Sequence, residues 1–102
     1  VASISTYLVG VDEPLSNDDA KRLIRALLVA GEFTLTGHAK RALADDKLEA
    51  GDVLNVLRGG WVEFSEPVGG SWRYRVTTRT MCVVVEFESE TELVVVTAWR
   101  IG

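Results

Sequence analysis

SWRYRV at Ser71–Val76, MCVVVEF at Met81–Phe87 and LVVVTAW at Leu93–Trp99 are three extended runs in close succession. In the first, Trp72, Tyr74 and Val76 alternate with Arg73 and Arg75, so a strand would put the aromatics on one side and the arginines on the other. The two valine runs are almost continuously apolar, which predicts central strands covered on at least part of both faces. The acidic segment Glu88–Glu92 lies between them and predicts a hairpin with a loose loop. Upstream, Pro67, Gly69 and Gly70 mark a turn, and Trp61–Phe64 predicts a short strand before it.

Before Gly60 the period is helical. Ser16–Asn17–Asp18–Asp19 supplies a capping side chain and two carboxylates for the positive end of a helix dipole. Ala20, Leu23, Ile24, Leu27 and Leu28 then form one apolar stripe, and Gly31 stops it. Lys21, Arg22 and Arg25 fall off the stripe and predict a solvated face. Phe33–Thr36 fits a short strand or an extended connector. Thr36–Gly37 caps a second helix over about His38–Lys47, and a third runs over about Glu49–Arg58 until Gly59–Gly60. Helices first and hairpin-linked strands second predict an α+β domain. Two to three N-terminal helices would pack on one face of a mainly antiparallel sheet of about four strands. Residues 15–102 form this single domain, and residues 1–14 an N-terminal arm or edge strand.

Composition narrows the function classes. The chain has 102 residues, room for one core, and a formal net charge of −4. That charge argues against nonspecific nucleic-acid binding. Bases nevertheless cluster at Lys40–Arg41 and Arg73–Arg79, with Arg100 near the end, which leaves room for a basic face on an acidic body. One cysteine, Cys82, excludes an internal disulfide, fits a reducing, cytoplasmic setting, and reads as a small core residue. No apolar run reaches the ~18 residues of a membrane helix. No signal sequence and no initiator Met open the chain, so a trimmed or processed N-terminus is expected. One His and one Cys do not make a usual zinc site, and no metal or cofactor is expected. The sequence carries no signal of oligomeric state.

The ordered segments VAGEFTLT, TGHAKRAL, GDVLNVLRGG, WVEF, SWRYRV and LVVVTAWR together resemble the MqsR-type mRNA interferase toxins of the wider RelE-like superfamily. They also resemble a related family of small bacterial domains with a Thr-x-His-Ala-x-x-Arg start. The resemblance runs from Leu15 nearly to the end. It implies an RNA-cleaving domain that uses the RNA's own 2′-hydroxyl as nucleophile, needs no metal and is blocked by an antitoxin protein. Arg100 matches a basic position of the toxin site, and Arg73 falls at a polar one. Two toxin positions depart: Ser65 stands near the expected lysine, and Met81–Cys82 stand at the expected tyrosine.

The residues themselves leave alternatives open. His38, the only histidine, lies at a helix start beside Lys40 and Arg41. Thr36, Gly37 and His38 would make a phosphate seat with His38 as general acid or base, or His38 simply packs locally or caps. Arg73 and Arg75, continued by Arg79, form either an RNA-backbone platform or a solvated face paired with Glu86 or Glu63. Trp99, beside Arg100, is the best base-stacking residue, whereas Trp61 and Trp72 fit the core or a partner interface. The expectation is therefore a metal-independent endoribonuclease. His38, Arg73 and Arg100 would be catalytic, and Lys40, Arg41, Arg75, Arg79 and Trp99 would bind RNA. The alternative is a non-catalytic protein- or RNA-binding module that kept the fold and lost the site.

Overall fold

Ser16 opens the first helix, α1 (Asn17–Ala30), by accepting a hydrogen bond from the Asp19 N–H at 3.1 Å. The structure is a computed structural model and describes residues 11–101. Ala20, Ile24 and Leu27 are the buried positions of the α1 stripe. At its end, a side chain on Gly31 would meet the Thr91 carbonyl at 2.7 Å, so only glycine lets the chain turn there. The chain passes straight into strand β1 (Glu32–Leu35).

Thr36 then caps α2 (Gly37–Asp45) and ties its start to the last strand. Its hydroxyl accepts from the Ala39 N–H and donates to the Val96 carbonyl, both at 3.0 Å. Helix α3 (Ala50–Gly59) begins where the Glu49 N–H donates to Asp52 Oδ2 at 2.8 Å. Its C-terminal carbonyls are taken by basic side chains of α1. Lys21 Nζ donates to the carbonyls of Leu57, Arg58 and Gly60, and Arg25 donates to Arg58 O at 3.1 Å. The expected solvated face of α1 is thus corrected for Lys21 and Arg25: they are helix caps, because the orphan carbonyls of α3 lie within their reach.

Strands β2 (Trp61–Val68), β3 (Ser71–Thr77), β4 (Met81–Ser89) and β5 (Glu92–Arg100) follow as antiparallel neighbours. The sheet order is β1-β5-β4-β3-β2, with β1 parallel to β5. The β2–β3 turn is built on Gly69 and Gly70 with φ of +56° and +85°, the left-handed pair a two-residue hairpin needs. The α+β architecture, with helices on one face, is as the sequence predicts. The sheet has five strands rather than about four, because Glu32–Leu35 pairs with β5. The strand expected over Trp61–Phe64 continues to Val68, and Pro67 is tolerated because β2 is an edge strand.

The core lies between the helices and one face of the sheet, with Ile24, Leu57, Tyr74, Val83, Val85 and Leu93 wholly buried. Residues 1–10 of the expected N-terminal arm lie outside the described residues. The part that is described is held down: Val11 and Leu15 pack on the core, and the Tyr74 hydroxyl accepts from the Leu15 N–H at 3.0 Å. The same hydroxyl donates to Glu13 Oε2 at 2.8 Å. No helix among the described residues is long and apolar enough to cross a membrane.

Candidate nucleic-acid interface

Strand pairing fixes what stands on the other face, which is helix-free among the described residues. Trp61, Thr77, Cys82 and Trp99 are paired across β2, β3, β4 and β5. Phe64, Arg75, Val84 and Thr97 form the next such row. Glu66 and Arg73 pair in the third, where Arg73 Nε donates to Glu86 at 2.7 Å. A bulge between Val62 and Phe64 keeps Phe64 in register with Arg75.

Cys82 and Val84 are buried, 1% and 8% exposed, although no helix among the described residues covers this face. Arg75 explains it. Its guanidinium carbon lies 4.7 Å from the Phe64 ring centre and 5.1 Å from that of Trp99, between the two. The aliphatic stem of such a side chain covers the strand beneath it while its head engages the rings. Each cation–ring contact is worth about 0.5–2 kcal/mol according to how dry it is. Among the described residues, Arg75 Nε is buried without a hydrogen-bond partner. Burial pushes the Cys82 thiol up to about 11, opposed by the Arg75 charge and reinforced by Glu63, so Cys82 is a protonated floor residue and not a nucleophile. At the rim, Trp61 is 54% and Phe64 38% exposed.

Arginine and aromatic rings arranged this way can stack nucleobases and donate to phosphate oxygens. The charge on this face is mixed, with Arg73 and Arg75 against Glu63, Glu66 and Glu86, so stacking would contribute more than net charge.

The predicted residues fall in three places. Arg73, Arg75 and Trp99 share the helix-free face, and Arg79 stands exposed in the β3–β4 turn beside it. Arg100 pairs with Met81, a core residue, and so belongs to the helix side. Its backbone N–H donates to Asp46 Oδ2 and its guanidinium to Asp46 O, so Asp46 ties the end of α2 to β5. His38, Lys40 and Arg41 are exposed at the start of α2. Asp46 follows the other end of that helix, eight residues from His38, or about 12 Å of rise. His38 and Arg100 therefore mark opposite ends of α2. Arg41 folds back over the helix start, its Nη1 3.4 Å from where a Gly37 side chain would begin. Trp72 packs against the helix-side core, as its alternation with Arg73 predicts.

Sequence reasoning missed Phe64. The signal was present, since WVEF carries two aromatics just before an arginine strand, but the bulge that aligns Phe64 with Arg75 has no sequence marker. It also assigned Trp61 to the core or to a partner interface; its exposure removes the core assignment. Among the described residues, no group of three His, Cys, Asp or Glu side chains is placed to hold a metal ion.

A protein-family model described as a domain of unknown function, DUF4258, matches residues 35–100. No curated protein and no solved structure matches the chain. The matched segment opens on Leu35 and the Thr36–Gly37–His38–Ala39 helix start, and takes in α2, α3 and all four antiparallel strands. In the Thr-x-His-Ala-x-x-Arg pattern the last place falls on Ala42, with Arg41 one residue early; Ala42 is half-buried, a poor place for a guanidinium. With the match covering residues 35–100 of 102, this chain belongs to the DUF4258 family.

Proposed function

We propose that this domain binds single-stranded RNA on the helix-free face of its sheet, as a member of the wider RelE-like superfamily. The observation that carries the reading is Arg75 held between Phe64 and Trp99, with a buried Nε that has no partner among the described residues, beside the exposed ring of Trp61. Bases stack on the rings, and the guanidinium fork takes a phosphate. The resemblance to MqsR-type interferases supports RNA as the ligand class. The mixed charge of the face predicts weak salt dependence. One or two phosphate contacts give a log–log slope of about −0.7 to −1.4 on single strands.

The test is fluorescence anisotropy with a labelled mixed-sequence oligoribonucleotide. Removing one stacking ring, Phe64→Ala, should weaken binding by about tenfold, since base–aromatic stacking is worth about 1–3 kcal/mol. Circular dichroism should show the fold retained, because Phe64 lies on an edge strand and is partly exposed. Equal affinity of parent and variant, or no association of the parent, would contradict the reading. No association would leave the surface to a protein partner.

A second reading adds cleavage. It is favoured by the exposed His38 in the first turn of α2 with Arg41 folded over Gly37. On this reading the helix start seats the scissile phosphate, His38 moves the proton of the 2′-hydroxyl, and an antitoxin protein restrains the activity. Arg73 would have to exchange Glu86 for a phosphate. Metal-free cleavage of the same RNA, lost in His38→Ala, supports it; an intact RNA after prolonged incubation leaves binding alone.

A further inference from the structure

Around the end of the sheet from Trp99, on the helix side, a cleft of about 330 Å³ lies between α3 and the β3–β4 turn. Val56 and Met81 floor it, while Asp52, Asn55, Thr80 and Arg100 line its walls. The size is at the lower end of small-molecule sites, about 300–1,000 Å³. An apolar floor with a few polar groups around it is the usual make-up of such sites.

Two of the polar groups are fixed in place. Asp52 Oδ2 is bound by the Glu49 N–H, which orients the carboxylate and leaves Oδ1 to accept from a ligand. Arg100 is anchored through Nη2 to Asp46 O at 3.0 Å, and among the described residues no carboxylate pairs with its guanidinium. The site thus offers one cation, one acceptor and one amide at Asn55, around an apolar slot. We infer that the cleft takes a single nucleotide, with its phosphate on Arg100 and an amino-bearing base, cytosine or adenine, read by Asp52 and Asn55. An aspartate accepts from the cytosine N4 amine, and an asparagine amide pairs with the adenine edge.

The choice of a nucleotide rests on the RNA reading. Trp99 and Arg100 are consecutive and point to opposite sides of the sheet, so a strand stacked on Trp99 passes over the sheet end to reach the cleft.

The experiment is titration of ¹⁵N-labelled protein with CMP, AMP, UMP and inorganic phosphate, each alone. CMP or AMP should shift the backbone amides of Asn55, Thr80 and Arg100, and UMP and phosphate should bind more weakly. Asn55→Ala, an exposed position, should weaken the better nucleotide about fivefold or more. Arg100→Gln should weaken every nucleotide and phosphate alike. No shift of these amides at millimolar nucleotide overturns the inference, and so does equal binding of phosphate, UMP and CMP. Loss of the Phe64 effect on oligoribonucleotide binding, with CMP still shifting these amides, overturns the helix-free-face reading and leaves the cleft standing.

Discussion

Tyr74 and Arg75 are neighbours on one strand, and the two faces they serve are buried by opposite means. Tyr74 is wholly buried under helices, its ring 5.1 Å from that of Phe87, and its hydroxyl is satisfied on both sides by Leu15 and Glu13. Arg75 covers its own face. It helps to shield Cys82 and Val84 by lying between two rings, and among the described residues its Nε is left without a partner. On the first face, among the described residues, no buried side-chain nitrogen or oxygen lacks a partner, as a stable interior requires. On the second, a cation and exposed rings remain available. The comparison separates what holds the domain together from what is open to a ligand.

Breaking the covered face should cost the most. Leu93→Ala removes a fully buried side chain and should destabilise by about 2–5 kcal/mol in urea unfolding. A cost below the lower bound would mean that the helices do not pack on β5 as described.

Next comes the link between helices. Lys21→Met keeps the apolar stem and removes the donor that serves three carbonyls at the end of α3. The expected loss is about 1–3 kcal/mol. An unchanged midpoint would show that solvent caps those carbonyls equally well.

A pH scan sharpens the contrast further. Burial, with Glu13 beside it and only the Leu15 N–H opposing, pushes the Tyr74 hydroxyl up to about 12 from its ordinary 10. The folded state therefore holds this proton more tightly than the unfolded chain. The stability it supplies is whole below pH 10 and is lost as pH rises through 12. Cys82, raised to about 11 from 9, acts with the same sign, beginning above pH 9. Tyr74→Phe should remove the upper part of the alkaline loss and leave the Cys82 part; an unaltered profile would mean that Tyr74 is not the group responsible.

How far the sequence led can be judged on β3. The alternation of Trp72, Tyr74 and Val76 with Arg73 and Arg75 was enough to assign both faces, because strand periodicity is local. The valine runs of β4 and β5 likewise announced cover on at least part of both faces; Met81–Val85 of β4 is buried throughout, whereas β5 alternates buried with half-buried residues. Their second cover was not legible, since it depends on a bulge that brings Phe64 opposite Arg75 and on pairing that brings Trp99 within reach. Strand β1 was ambiguous for the same reason: four residues become a strand only through parallel pairing with β5, far along the chain. The pairing of Arg73 with Glu86 was one of the two readings the strand pattern offered, whereas the fates of Lys21 and Arg100 were out of reach. Each of these two is decided by a partner remote in sequence, the α3 carbonyls and Asp46. The negative net charge gave no hint of these local arrangements.

The three tryptophans report on the two faces at once. Trp61 and Trp99 stand on the helix-free side, and Trp72 packs toward the core. Saturating the protein with a single-stranded oligoribonucleotide while following the indole N–H signals by NMR should move Trp61 and Trp99 and leave Trp72 in place. Stationary Trp61 and Trp99 signals under saturating RNA, or a Trp72 signal that moves as far as theirs, would contradict the assignment of the helix-free face as the binding surface.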